Sequence, residues 1–154
     1  MSYANKDNYN FTPEEADELW VDTFGNVTTA KDENQAIIHR EKYGDKGMYG
    51  WEIDHIWPKA KLEQMGVSAT SINSACNLRP LHRLNNQQKS NDFPCWRYYK
   101  YDSIRQSFDK KSFQSYIFPS AAFKRLQQEL IPSPTPLQML RIMSIKQEIQ
   151  KQGF

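Results

Sequence analysis

Asp54 and His55 stand side by side in Trp51-Glu52-Ile53-Asp54-His55-Ile56, and two asparagines follow, Asn77 and Asn86, nine positions apart. A carboxylate is an anionic oxygen donor for a hard cation, and an amide oxygen can join the same ligand shell. Imidazole titrates close to neutral pH and can accept a proton from water. His82, Arg83 and Lys89 lie in the same stretch. Such a set can activate a water molecule beside a divalent cation, provided the backbone brings it together.

The elements that must position these groups can be read from the pattern around them. Trp51 to Ile56 alternates apolar and polar residues with Pro58 just behind, which predicts a short strand ending in a turn. In a regular strand Asp54 and His55 point to opposite faces, so a shared site requires a bulge or the strand's end. A loop of Lys, Gly, Ser and Thr follows. Asn77-Leu78-Arg79-Pro80-Leu81 then predicts a second strand, and His82 to Lys89 a polar, exposed helix. The unit is strand, strand, helix.

The order Asp-His-Ile-x-Pro, Asn77-Leu78-x-x-Leu81, Asn86 and Lys89 within that pattern resembles the ββα-metal core of HNH endonucleases. Tyr49-Gly50-Trp51-Glu52-Ile53, Arg79-Pro80-Leu81-His82 and Asn85-Asn86 resemble small bacterial and phage HNH proteins. The match runs from Gly50 to Pro94, extends more thinly upstream over Lys31-Asp32, Ala36-Ile37-Ile38 and Tyr43-Gly44, and stops at Pro94.

The resemblance implies an α+β protein with a ββα-metal hairpin and helix surrounded by further helices. It implies a metal-dependent endonuclease that hydrolyses phosphodiester bonds, with DNA as the nucleic-acid partner. Asp54 and Asn86 would hold one Mg²⁺ or Mn²⁺ ion and His55 would act as general base. Asn77 would orient that histidine or brace its loop. Arg83 and Lys89, at helical spacing from Asn86, are candidates for phosphate binding. His82 stays open between a phosphate contact and another role, because some HNH proteins carry a zinc-binding cysteine near its position. Glu52 is either an outer ligand or a solvent-facing strand residue. The two cysteines, Cys76 and Cys95, form no Cys-x-x-Cys pair, so no structural zinc is expected. A catalytically silent nucleic-acid-binding module of the same fold is the competing expectation.

The whole chain fits these expectations. Its 154 residues suit one domain, and with 13% aromatic residues it is too rich in ring side chains for a disordered chain despite a mean hydropathy of −0.81. The net charge of +2 hides an asymmetry: residues 1–54 carry 5 Lys and Arg against 12 Asp and Glu, and residues 55–154 carry 15 against 6. Alone, that basic segment reads as solvated surface; beside a nuclease-like core it suits a polyanion. No apolar run approaches a membrane span, and residues 1–15 lack the blocks of a signal peptide, which predicts a cytoplasmic protein without a membrane partner.

The flanks of the core, about residues 49–94, are expected to be helical: a segment within 12–44 and an extension over 119–153. Residues 1–10 read as a loose arm. Thr12-Pro13-Glu14-Glu15 predicts a capped helix to about Val21, and Asp32 to Tyr43 a second helix ended by Gly44. Trp96 to Tyr101 interleaves aromatics with cations, either to stack bases or to pack on the hairpin. Ser120 to Leu130 predicts a helix with Phe123, Leu126 and Leu130 on one face. Thr135-Pro136 starts a last helix whose stripe of Leu137, Met139, Leu140, Ile142, Met143, Ile145 and Ile149 must be covered, by the body of the protein or by a partner such as a second copy.

Overall fold

The computed structural model describes residues 2–93, 95–102, 105, 107–117 and 120–151, without the side chains of 95–102, 108–117, 120, 148 and 149. It is an α+β protein built from helices and three two-stranded antiparallel sheets. Helix α1 (Pro13–Phe24) begins with a complete capping box, the Thr12 hydroxyl accepting from the Glu15 N–H and the Glu15 carboxylate from the Thr12 N–H. Such a cap is worth about 1 kcal/mol, and it sets where the helix starts. The helix lays Ala16, Leu19 and Trp20 on the interior.

The expected helix over 32–43 is not there. Thr29–Lys31 (β1) and Ile37–His39 (β2) form a hairpin instead, followed by a single 3-10 turn at Arg40–Lys42. The cause is Asp32, whose Oδ1 accepts the N–H groups of both Asn34 and Ala36 at 2.9 Å and so closes the turn locally. Short polar side chains that bond nearby backbone compete with helix, and the β-branched pair Ile37-Ile38 prefers a strand. Gly44 is in the left-handed region as expected, with φ +74°, but it follows the 3-10 turn.

Strand β3 (Trp51–His55) pairs with β4 (Leu78–His82) in a register that sets Asp54 opposite Arg79 and His55 opposite Leu78. Helix α4 (Arg83–Lys89) follows directly, and the His82 Nδ1 caps it by accepting the Leu84 N–H at 3.1 Å. Between the strands, two short helices replace the expected loop, α2 (Lys59–Gln64) and α3 (Ala69–Ile72). Gly50 precedes β3 where any Cβ would lie 1.9 Å from the Asp45 carbonyl oxygen, so only glycine lets this loop close against the start of α4.

The hairpin divides the interior. Trp51 joins Ala16, Trp20 and Ile38 in one cluster, and Leu78 joins Tyr3 and Leu19 in another. Beyond the hairpin, Trp57, Phe93 and Phe123 form a three-ring cluster, with Trp57 5.3 Å from each phenylalanine centroid and the two phenylalanines 5.6 Å apart. Strands β5 (Cys95–Asp102) and β6 (Ser107–Ile117) pair in a third hairpin. The side chains of Trp96 to Tyr101, where aromatics and cations alternate, lie outside the described residues.

Helix α5 (Ser120–Leu130) buries Phe123, Leu126 and Leu130, the face its spacing predicts. Helix α6 (Pro136–Lys151) carries the expected box, with Thr135 and Gln138 exchanging bonds at 2.9 and 3.2 Å. Among the described side chains of its stripe, Ile142 is buried in the Trp57 cluster and Ile145 packs on it, while Leu137, Met139, Leu140 and Met143 are more than half exposed. Among the described residues no helix is long and apolar enough to cross a membrane.

Candidate metal and hydrolytic site

Strand alternation puts Glu52 and Asp54 on one face of the hairpin, and α4 lies across that face. Helical spacing then places Asn86 and Lys89 on the side of α4 that meets it. The Asn86 Nδ2 donates to Glu52 Oε2 at 2.6 Å, and the Lys89 Nζ donates to Asp54 Oδ1 at 3.1 Å and to the His55 carbonyl at 3.0 Å. Arg79, across the ladder from Asp54, donates from Nε to Oδ2 at 2.8 Å and pairs through Nη1 with Glu33. Asp54, Arg79 and Lys89 are all buried. The cluster holds three carboxylates, Glu33, Glu52 and Asp54, against two cations, so it keeps one negative charge in excess.

His55 is the last residue of β3, and its ring turns to the other side of the hairpin. Its Nε2 lies 2.7 Å from Asn73 Oδ1, and the rings of Tyr9 and Phe11 pack against it with centroids at 5.7 and 6.2 Å. Burial pulls its pKa below the ordinary imidazole value, against the opposing pull of the Asn73 hydrogen bond and the Asp54 charge. No bulge interrupts β3 and β4. Asp54 and His55 therefore meet only as neighbours at the strand's end, joined through Lys89, which touches the carboxylate of one and the carbonyl of the other.

Asn77 braces the chain after β3. Its Oδ1 accepts the Trp57 N–H at 2.7 Å, and its Nδ2 donates to the carbonyls of Trp57 and Ile72 at 3.2 and 2.9 Å. Two of these bonds go to the loop behind His55 and the third to the end of α3, and the bond to the imidazole comes from Asn73. His82 and Lys89 differ from the expectation that they face phosphate. His82 is buried, its Nε2 2.7 Å from the Met48 carbonyl, and its own N–H donates to Asp32 Oδ2. Lys89 is fully buried on Asp54, with its pKa lowered by burial first and held up by that carboxylate. Of the three candidates only Arg83 reaches the surface, with Nε on the Gly47 carbonyl at 2.9 Å.

Three contributors escaped the sequence reading. Arg79 could have been found by pairing the strands in register, which sets it opposite Asp54. Asp32 accepts the Asn85 Nδ2 as well as the His82 N–H, both at 2.9 Å, and so ties the β1–β2 turn to α4. Asn73 carried no local signal, because its partners are His55, Lys6 and Asn8.

No family model, curated protein or solved structure matches this chain. The site is judged on its own chemistry.

Asp54 and Glu52 offer carboxylate oxygens and Asn86 an amide oxygen whose orientation Glu52 fixes by taking the N–H. These are hard donors of the kind Mg²⁺ and Mn²⁺ prefer. Among the described residues no three His, Cys, Asp or Glu side chains gather as a ligand group. A cation at Asp54 would have to displace Lys89 from Oδ1. The excess negative charge and the donor types fit such an ion; the two cations already on Asp54 oppose it.

Proposed function

We propose that this protein is a metal-dependent endonuclease with a ββα-metal core that hydrolyses phosphodiester bonds in DNA. The observation that carries the reading is the crossing of β3 and α4, which brings Asn86 onto Glu52 and Lys89 onto Asp54 while His55 ends the same strand. Asp54 and Asn86 would hold the ion. When bound, a divalent cation would stabilise charge on the phosphoryl and leaving oxygens. His55, kept neutral by its partly buried setting, takes the proton of the attacking water. Asn77 holds the turn at Trp57, so the backbone that carries His55 does not drift. Arg83 at the exposed start of α4 contacts the phosphate backbone. With 15 Lys and Arg against 6 acidic residues from 55 onward, the chain suits a polyanion.

A second reading is favoured by one observation. Both Asp54 oxygens already accept from cations, Arg79 at 2.8 Å and Lys89 at 3.1 Å, which is how a structural carboxylate is satisfied. On that reading the chain binds nucleic acid without cutting it. A plasmid-nicking assay with Mg²⁺ and Mn²⁺, with and without chelator, separates the two. Chelator-sensitive nicking supports the endonuclease. Binding without nicking across several divalent metals and substrates supports the silent module.

A further inference from the structure

Asn73 is completely buried, and every polar atom of its side chain is used. Its Nδ2 donates to two backbone carbonyls of the N-terminal arm, Lys6 at 2.9 Å and Asn8 at 2.7 Å, and its Oδ1 faces His55 Nε2 at 2.7 Å. An amide group can usually be turned over, exchanging oxygen and nitrogen. Here the turned amide would set Oδ1 against two carbonyl oxygens and lose both bonds, so the arm decides that oxygen faces the imidazole. A carbonyl oxygen only accepts. The atom opposite it must carry a hydrogen, and in neutral imidazole the second nitrogen is then a bare lone pair. The Nδ1 of His55 has no hydrogen-bond partner among the described residues.

We infer that Asn73, locked by the carbonyls of Lys6 and Asn8, is a positioning residue that holds His55 with its proton on Nε2 and leaves Nδ1 as the basic atom. The arm is therefore part of the site. Residues 1–10 lack the periodicity of a regular element, yet Tyr3 is buried, the Asn5 N–H donates to the Asn73 carbonyl at 2.8 Å, and Lys6 pairs with Glu15 at 2.7 Å. Tyr9 and Phe11 then wall the imidazole. Fixing the second nitrogen of an imidazole through a hydrogen bond is how proteins set which tautomer does the work. Only the statement that Nδ1 takes the water's proton rests on the endonuclease reading; the tautomer does not.

The test uses the full-length, ¹⁵N-labelled protein. Long-range proton–nitrogen correlations of His55, recorded where the ring is neutral, should show the Nε2-protonated form alone. Asn73→Ala should give a mixture of tautomers and a nicking rate about 10–100-fold lower at saturating substrate, by analogy with losing the partner that orients a metal-bound imidazole, with KM unchanged. The wild-type spectrum decides the point even if Asn73→Ala does not fold. A neutral His55 protonated on Nδ1 overturns the proposal, as does a folded Asn73→Ala protein with unchanged tautomer and nicking rate. An Nε2-protonated His55 in a protein that nicks nothing overturns its catalytic part and the endonuclease reading together, and leaves the tautomer assignment standing.

Discussion

A buried carboxylate flanked by two buried cations fixes what each residue of the site contributes. Removing one member leaves the others uncompensated in a low dielectric, which costs about 3–5 kcal/mol. Lys89→Met should therefore destabilise the protein by about 3 kcal/mol, the lower end because Arg79 still holds Asp54; urea midpoints of the two proteins check this. On the endonuclease reading, the same burial means that Lys89 adds nothing to the salt dependence of DNA binding. Arg83→Ala alone should lower the salt slope by about 0.9, the contribution of one phosphate contact, while a Lys89 variant that folds leaves it unchanged. His82 supplies a pH dependence. Burial lowers its pKa, outweighing the pull of the Met48 carbonyl, and its Nδ1 must be unprotonated to cap α4. The unfolded chain thus binds this proton more readily than the folded one, so the stability His82 contributes is present above about pH 6.5 and is lost as pH falls below it. His55 is shifted the same way and adds to the slope. His82→Asn, which keeps a capping side chain, should flatten the dependence of the urea midpoint between about pH 7.5 and 5.5, leaving the His55 part.

Elements whose signal is local were legible, and those set by distant contacts were not. The caps at Thr12 and Thr135, the alternation of Trp51 to His55 and the spacing of Phe123, Leu126 and Leu130 each depend on residues a few positions apart. The strand, strand, helix order from Trp51 to Lys89 followed from them. Over Asp32 to Tyr43 the sequence predicts a helix because the three apolar residues in a row, Ala36-Ile37-Ile38, satisfy either period. The deciding element was the turn at Asp32, whose other oxygen answers to His82 and Asn85 fifty positions away and more. Helix α6 tests a different point at this scale. Ile142 is 4% exposed within the Trp57 cluster, whereas Leu140 is 63% exposed. Ile142→Ala should cost about 2–5 kcal/mol, and Leu140→Ala should stay within about 0.5 kcal/mol, measured by urea unfolding. Among the described side chains of the stripe, the body of the protein covers Ile142 and Ile145.

For the molecule as a whole, the pieces converge on β3 and α4: the arm and α1 on one side of the hairpin, α4 on the other, and the Asp32 turn tying the two. Strand and helix periods put Glu52 and Asp54 on the hairpin face that α4 crosses, and Asn86 and Lys89 on the side of α4 that meets it. The company Asp54 keeps could not be anticipated from those periods, since Arg79 and Lys89 converge on it only once the ladder register is set and α4 has crossed the hairpin. Those two cations make metal binding the central question, because the ion would have to take Oδ1 from Lys89. Isothermal titration with Mn²⁺ asks it directly, on the wild-type protein, Asp54→Asn and His55→Ala. If Asp54 holds the ion, the wild type has one site, His55→Ala keeps the same affinity, and Asp54→Asn shows no measurable binding. A wild-type protein that takes up no Mn²⁺, or a His55→Ala variant that loses the ion while Asp54→Asn keeps it, would contradict that assignment.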